Sequence, residues 1–174
     1  LIYAGGTLPA IDSIIRKLTS PAENVLLMSP VYNCFYYCIK NAARVPVENE
    51  LAYASGDYSI DWADLEAKLA DPQTTLFILC NPHNPVGRTF SRDDLARIGE
   101  LCEKHGVTVL SDEVHCDLTE PGVRYTPFAA ASETCERISA SIIAPTKAFN
   151  IAGLQSAAVF AADKRLRHKI SKAL

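Results

Sequence analysis

Three short stretches place reactive side chains at equivalent points along the chain. Asn81-Pro82-His83-Asn84-Pro85-Val86-Gly87-Arg88 follows the apolar run Thr74–Cys80. Ser111-Asp112-Glu113-Val114-His115 follows Val107–Leu110, and Pro145-Thr146-Lys147 follows Ser139–Ala144. Read as neighbouring parallel strands, these runs deliver an amide, a carboxylate and an amine to one sheet edge, where open α/β sheets bind ligands. A lysine amine forms a Schiff base with an aldehyde. A carboxylate keeps a pyridine nitrogen protonated, which makes the ring an electron sink. A side-chain amide donates a hydrogen bond to a phenolate oxygen. Gly5-Gly6-Thr7 directly precedes a helical segment and reads as a helix start able to cradle a phosphate. Together these groups fit pyridoxal 5′-phosphate (PLP).

The elements that must position these groups are legible in the apolar pattern. Val25–Met28, Thr74–Cys80, Val107–Leu110, Ser139–Ala144 and Ala157–Ala162 are short continuous apolar runs, the pattern of strands buried on both faces in parallel sheets. Ala43–Val47 is a weaker strand whose Pro46 suits an edge or an irregular strand. Between them lie helical segments. Pro9–Leu18 sets Ile11, Ile14, Ile15 and Leu18 on one face, and Asp61–Leu69 does the same with Trp62, Leu65 and Leu69. Ser91–His105 opens on a capping-box variant, Ser91 with Asp94, and closes before Gly106 at a C′ position. Asp163–Ala173 is a cationic helix. Gly56 marks a turn. This alternation predicts an α/β fold, three αβα layers around a mostly parallel sheet, in a single domain over residues 1–174.

Composition narrows the function classes. The 174 residues are 48% hydrophobic and 21% charged, enough for a buried core without disulfides or metal. With 17 Lys+Arg against 20 Asp+Glu the formal charge is −3, and no basic stripe points to nucleic acid. The Lys164-Arg165-Arg167-His168-Lys169 cluster reads as a solvated helix face. No apolar run reaches the ~18 residues of a membrane span. Cys34, Cys38, Cys80, Cys102, Cys116 and Cys135 form no Cys-x-x-Cys pair and no zinc-ligand spacing, so buried free thiols are expected. That thiol usage and the absence of a signal-like start point to the cytoplasm.

The chain resembles the fold-type I PLP enzymes, specifically the MalY/PatB-type cystathionine β-lyases and related class I/II aminotransferases. The likeness rests on Asn81-Pro82-His83-Asn84-Pro85-Val86-Gly87, Ser111-Asp112-Glu113-Val114-His115-Cys116-Asp117 and Ala144-Pro145-Thr146-Lys147-Ala148-Phe149-Asn150-Ile151-Ala152-Gly153-Leu154. The resemblance implies roles. Lys147 falls at the Schiff-base lysine that also shuttles the Cα proton, and Asp112 at the partner of the pyridinium nitrogen. Asn84 falls at the residue bonding the phenolic oxygen, and Tyr32 at the aromatic stacked on the ring. Gly6, Thr7 and Thr146 fall at phosphate-binding positions. His115 stands where ordinary aminotransferases carry tyrosine, as in the MalY/PatB group. Gln155 and Ala144 stand where many relatives carry an arginine and a hydroxyl residue, so the phosphate must be neutralised differently.

Each residue has a plainer reading as well. Lys147 also fits a surface lysine, Asp112 a helix cap, Asn84 and His83 turn residues, His115 a structural histidine, and Tyr32 a packing residue beside Phe35, Tyr36 and Tyr37. By resemblance the expected activity is a carbon–sulfur β-lyase acting on a small-molecule amino acid and releasing thiol, pyruvate and ammonia. An aminotransferase and a non-catalytic fragment are the alternatives. The family also implies a homodimer, and a smaller C-terminal domain whose arginine holds the substrate carboxylate. The start at Leu1 and the short length make the chain an apparent fragment of such an enzyme, its large PLP-binding domain.

Overall fold

The computed structural model describes all residues from 1 to 174. In chain order the elements are β1 (Ile2–Ala4), α1 (Thr7–Leu18), β2 (Asn24–Ser29), α2 (Cys34–Asn41), β3 (Val45–Glu50), β4 (Ala52–Ala54), β5 (Asp57–Ser59) and α3 (Trp62–Leu69). There follow β6 (Thr74–Cys80), α4 (Arg92–Lys104), β7 (Thr108–Asp112), α5 (Phe128–Ala131), α6 (Glu133–Ile138), β8 (Ser139–Ile143), a 3₁₀ turn (Ala152–Leu154), β9 (Ala157–Phe160) and α7 (Lys164–Ser171). No helix is long and apolar enough to cross a membrane.

Seven strands form one sheet in the order β1-β9-β8-β7-β6-β2-β3. The pairs from β3 through β2, β6 and β7 to β8 are all parallel. Strand alternation feeds a core on each face. Val25, Leu27, Leu76, Ile78 and Leu110 meet Ile11, Ile14, Ile15, Phe35 and Ile39 of α1 and α2. Leu26, Met28, Phe77, Leu79 and Val109 meet Leu65, Leu69, Leu95, Ile98, Phe128 and Cys135 on the other side. The three layers follow from this two-sided burial.

Several expectations shift at their edges. β3 begins at Val45 and runs to Glu50, and it lies at the sheet's edge, where Pro46 costs no interior hydrogen bond. β7 runs past Leu110, because Ser111 and Asp112 still pair with Leu79 and Cys80. The last apolar run is no parallel strand: β9 pairs antiparallel with both β8 and β1. The chain returns directly after the Lys147 loop without the helical crossover that a parallel pair requires. Only three of the six cysteines are buried, namely Cys80, Cys102 and Cys135; all six are free thiols. The turn at Gly56 joins β4 to β5, with Ser55 and Gly56 both at positive φ as a type I′ hairpin requires.

The best-signalled helix forms as its caps dictate. The Asp94 amide donates to Ser91 Oγ at 3.0 Å and the Ser91 amide donates to Asp94 Oδ2 at 3.3 Å. Gly106 takes φ 72° just beyond the C-cap. Asp61 and Asp163 cap α3 and α7 through their carboxylates.

Candidate active site

The strand register sets the site. Cys80 pairs with Asp112, and Asp112 with Ile142, so β6, β7 and β8 end level. The loops leaving those ends carry Asn84, His115 and Lys147. Across the sheet, β1 leads into α1 through Gly6, whose φ of 129° only glycine adopts without strain. No side chain caps α1, and with Pro9 lacking an N–H and the Ala10 amide bonded to the Gly6 carbonyl, the Thr7 and Leu8 amides are left free for an anion.

These elements enclose a cavity of about 240 Å³. Gly6, Thr7, Tyr32, Asn84, Asp112, His115, Thr146 and Lys147, all eight candidates, line it. Leu8, Pro9, Phe35, Cys80, Val114, Ala152 and Gln155 complete the wall. Ala144 is buried and is not a lining residue. Of the additional residues, Cys80 could have been found by its place at a strand end. Phe35 sits on α2, an element without a clear sequence signal.

Asp112 lies at the floor, 4% exposed. Burial pushes its carboxyl up to about 7. The Val114 amide, donating to Oδ1 at 3.2 Å, and the Lys147 charge work the other way, while neighbouring Glu113 reinforces the rise. His115 is half-buried and pulled below the usual imidazole range by burial and by the Lys147 charge, against a hydrogen bond to the Pro82 carbonyl. Tyr32 stands edge-on to Phe35, ring centroids 5.6 Å apart, and its phenol is raised by a hydrogen bond to Cys34 and by burial. Lys147 is the one lysine or arginine of the lining, exposed in a turn closed by Phe149 N–H to Pro145 O at 3.0 Å.

His83, by contrast, points away into structure. It is buried, its Nε2 lies 3.1 Å from the Met28 carbonyl, and its ring meets Phe90 edge-on. Burial holds it at about 4, so it is neutral and donates from Nε2.

A level row of parallel strand ends, a helix N terminus aimed at a cavity and a lone amine opposite a buried carboxyl define a ligand-binding α/β domain of the doubly wound kind. The chain belongs to the aminotransferase class I and II family, whose model matches residues 1–173. It is 46% identical over 174 residues to cystathionine beta-lyase PatB of Bacillus subtilis, covering 100% of this chain and 45% of that protein. It is 31% identical over 157 residues to protein MalY of Escherichia coli, covering 90% and 40%. The crystal structure of cystalysin from Treponema denticola, which contains a pyridoxal 5′-phosphate cofactor, superposes with a TM-score of 0.96 at 34% identity, covering 99% of this chain and 44% of that one. The chain thus spans under half the length of these relatives.

Proposed function

We propose that the cavity is the pyridoxal 5′-phosphate site of a carbon–sulfur β-lyase of the cystathionine β-lyase type. The observation that carries this reading is Asp112: a buried carboxyl whose only side-chain hydrogen bond comes from its own loop, in the same cavity as a single amine. Such a group is stabilised by a cationic ring nitrogen brought against it.

The residues fit the group. The Thr7 and Leu8 amides of α1, with the Thr7 and Thr146 hydroxyls, offer donors to a phosphate. Gln155 adds a neutral amide where a cation would otherwise help, so hydrogen bonds rather than a second charge hold the anion. Asn84 would donate to the phenolic oxygen, and Tyr32 is the aromatic side chain that would pack on the ring. Bound there, PLP supplies the electron sink for a carbanion at the substrate Cα. Lys147 Nζ would anchor the aldehyde carbon and, as the only lysine amine in the cavity, is the base placed to take the substrate Cα proton. Asp112 would keep the ring nitrogen protonated. The Cβ–S bond breaks and the thiol leaves; one water enters, and the remainder is released as pyruvate and ammonia. A sulfur amino acid is the substrate, and the working enzyme is a homodimer in the cytoplasm.

The same residues serve an aminotransferase, the reading that the family's name favours. Pyruvate release from cystathionine separates them. The lyase reading expects pyruvate and thiol in equal amounts with no 2-oxo acid acceptor present. Turnover that requires an acceptor and conserves the amino group would replace it with the transaminase reading. PLP bound without turnover of either kind would make this chain a non-catalytic fragment.

A further inference from the structure

The wall of the cavity that carries Val114 and His115 is the start of a long connection. Between the end of β7 at Asp112 and α5 at Phe128 the chain forms only turns and irregular backbone. A connection of this length inside a compact fold is uncommon unless it serves a site. Its far end is gripped by two buried polar side chains, each lying immediately after a strand of the catalytic row.

Asn81, fully buried after β6, donates from Nδ2 to the Thr126 carbonyl at 3.3 Å and accepts the Phe90 amide on Oδ1 at 3.2 Å. Glu113, 2% exposed after β7, accepts three bonds. The Phe128 amide and the Ser141 hydroxyl donate to Oε1 at 3.0 and 2.9 Å, and the Tyr125 hydroxyl donates to Oε2 at 2.5 Å. Glu113 forms no salt bridge, unlike the surface acids Glu66 and Glu103. An unpaired carboxylate out of water is costly unless its oxygens are well bonded, and here three donors from β8, the loop and α5 do this. Apolar contacts could have closed the loop without that cost. They would not have fixed Tyr125–Phe128 in one position.

We propose that Glu113, with Asn81, is a positioning residue for the cofactor site. The pair latches Tyr125–Phe128 to the ends of β6 and β7. The latch holds the loop that presents His115 and the strand end that presents Asp112. This inference rests on the reading of the cavity as a PLP site, and its test is arranged to tell the two apart.

The test compares Glu113→Gln, Tyr125→Phe and a control, Ile98→Val, a core truncation in α4 that lowers stability away from the latch. For each variant, Tm, the His115 ring resonances of the cofactor-free chain and the Kd for PLP are measured. The latch predicts that Glu113→Gln and Tyr125→Phe move the His115 resonances and weaken PLP about ten-fold, the effect of roughly one hydrogen bond. Ile98→Val should lower Tm by a similar amount and leave both other readouts at the parent values. Tyr125→Phe keeps the carboxylate and its two other donors, so it decides alone where Glu113→Gln does not fold. Unmoved His115 resonances with an unchanged Kd in Tyr125→Phe overturn the proposal, as does an equal loss of PLP affinity in Ile98→Val. Failure of the parent chain to bind PLP counts against the site's function instead, and the cofactor-free His115 resonances then decide the latch by themselves.

Discussion

Asp112 pays for its usefulness in stability. Its carboxyl sits at about 7 in the fold, against an ordinary value of 3.8. Between those values the folded chain holds a proton that the unfolded chain has released, so this residue's contribution to stability falls as pH rises from about 4 to 7 and is flat above. His83, lowered to about 4, and His115, lowered by burial, act in the opposite sense across part of the same window. Glu23, Glu66 and Glu103 are held below 4.5 and act only in more acid solution. Asp112 is therefore isolated by comparing the parent with Asp112→Asn. In the cofactor-free chain the variant should be nearly neutral at pH 4 and more stable than the parent at pH 8, by as much as about 4 kcal/mol. Denaturant midpoints at the two pH values measure this, and equal differences at both would refute the raised titration. If the cavity holds PLP as proposed, the same substitution removes the partner proposed for its ring nitrogen, so PLP should bind Asp112→Asn more weakly than the parent despite the gain in stability.

Elements bring these residues together, and one close approach shows how tightly. α4 and α6 meet at Gly99, where an added Cβ would lie 2.4 Å from Cys135 Sγ. Cys135 is itself fully buried, and its thiol donates to the Leu95 carbonyl at 3.4 Å, so it has little room to yield. Gly99→Ala gains helix propensity yet forces α6 away, and a net loss of about 1–3 kcal/mol is expected. Thermal unfolding checks it. α6 runs directly into β8, the strand before Lys147, so a chain that accepted this alanine without cost would show that the helix pair does not fix the sheet from that side.

Across the whole molecule, what the sequence revealed depended on whether a feature was local. The strand runs and capped helices were legible because burial on two faces and caps such as Ser91–Asp94 leave their marks within a few residues. Asn84, Asp112 and Lys147 were legible because they follow strand ends, and Gly6 and Thr7 because they precede a helix start, whereas Tyr32, His115 and Thr146 took their roles from the family resemblance. α2 was not, since Cys34–Asn41 is short, rich in aromatics and without a side-chain cap. The three-residue strands β4 and β5 and the short helices α5 and α6 fall below any periodicity. The turn back into an antiparallel β9 carries no signal in its alanines. Glu113 belongs to the same class: its partners lie 12, 15 and 28 residues away, and only the folded chain brings them together. The central claim, that this assembled cavity is a PLP site anchored at Lys147, is tested most directly by covalent trapping. The chain is incubated with PLP, reduced with borohydride and mapped by mass spectrometry. The account predicts one pyridoxyl group on Lys147 in the parent and none at that position in Lys147→Ala. An unmodified Lys147 in the folded parent, or labelling spread over the surface lysines, would contradict it.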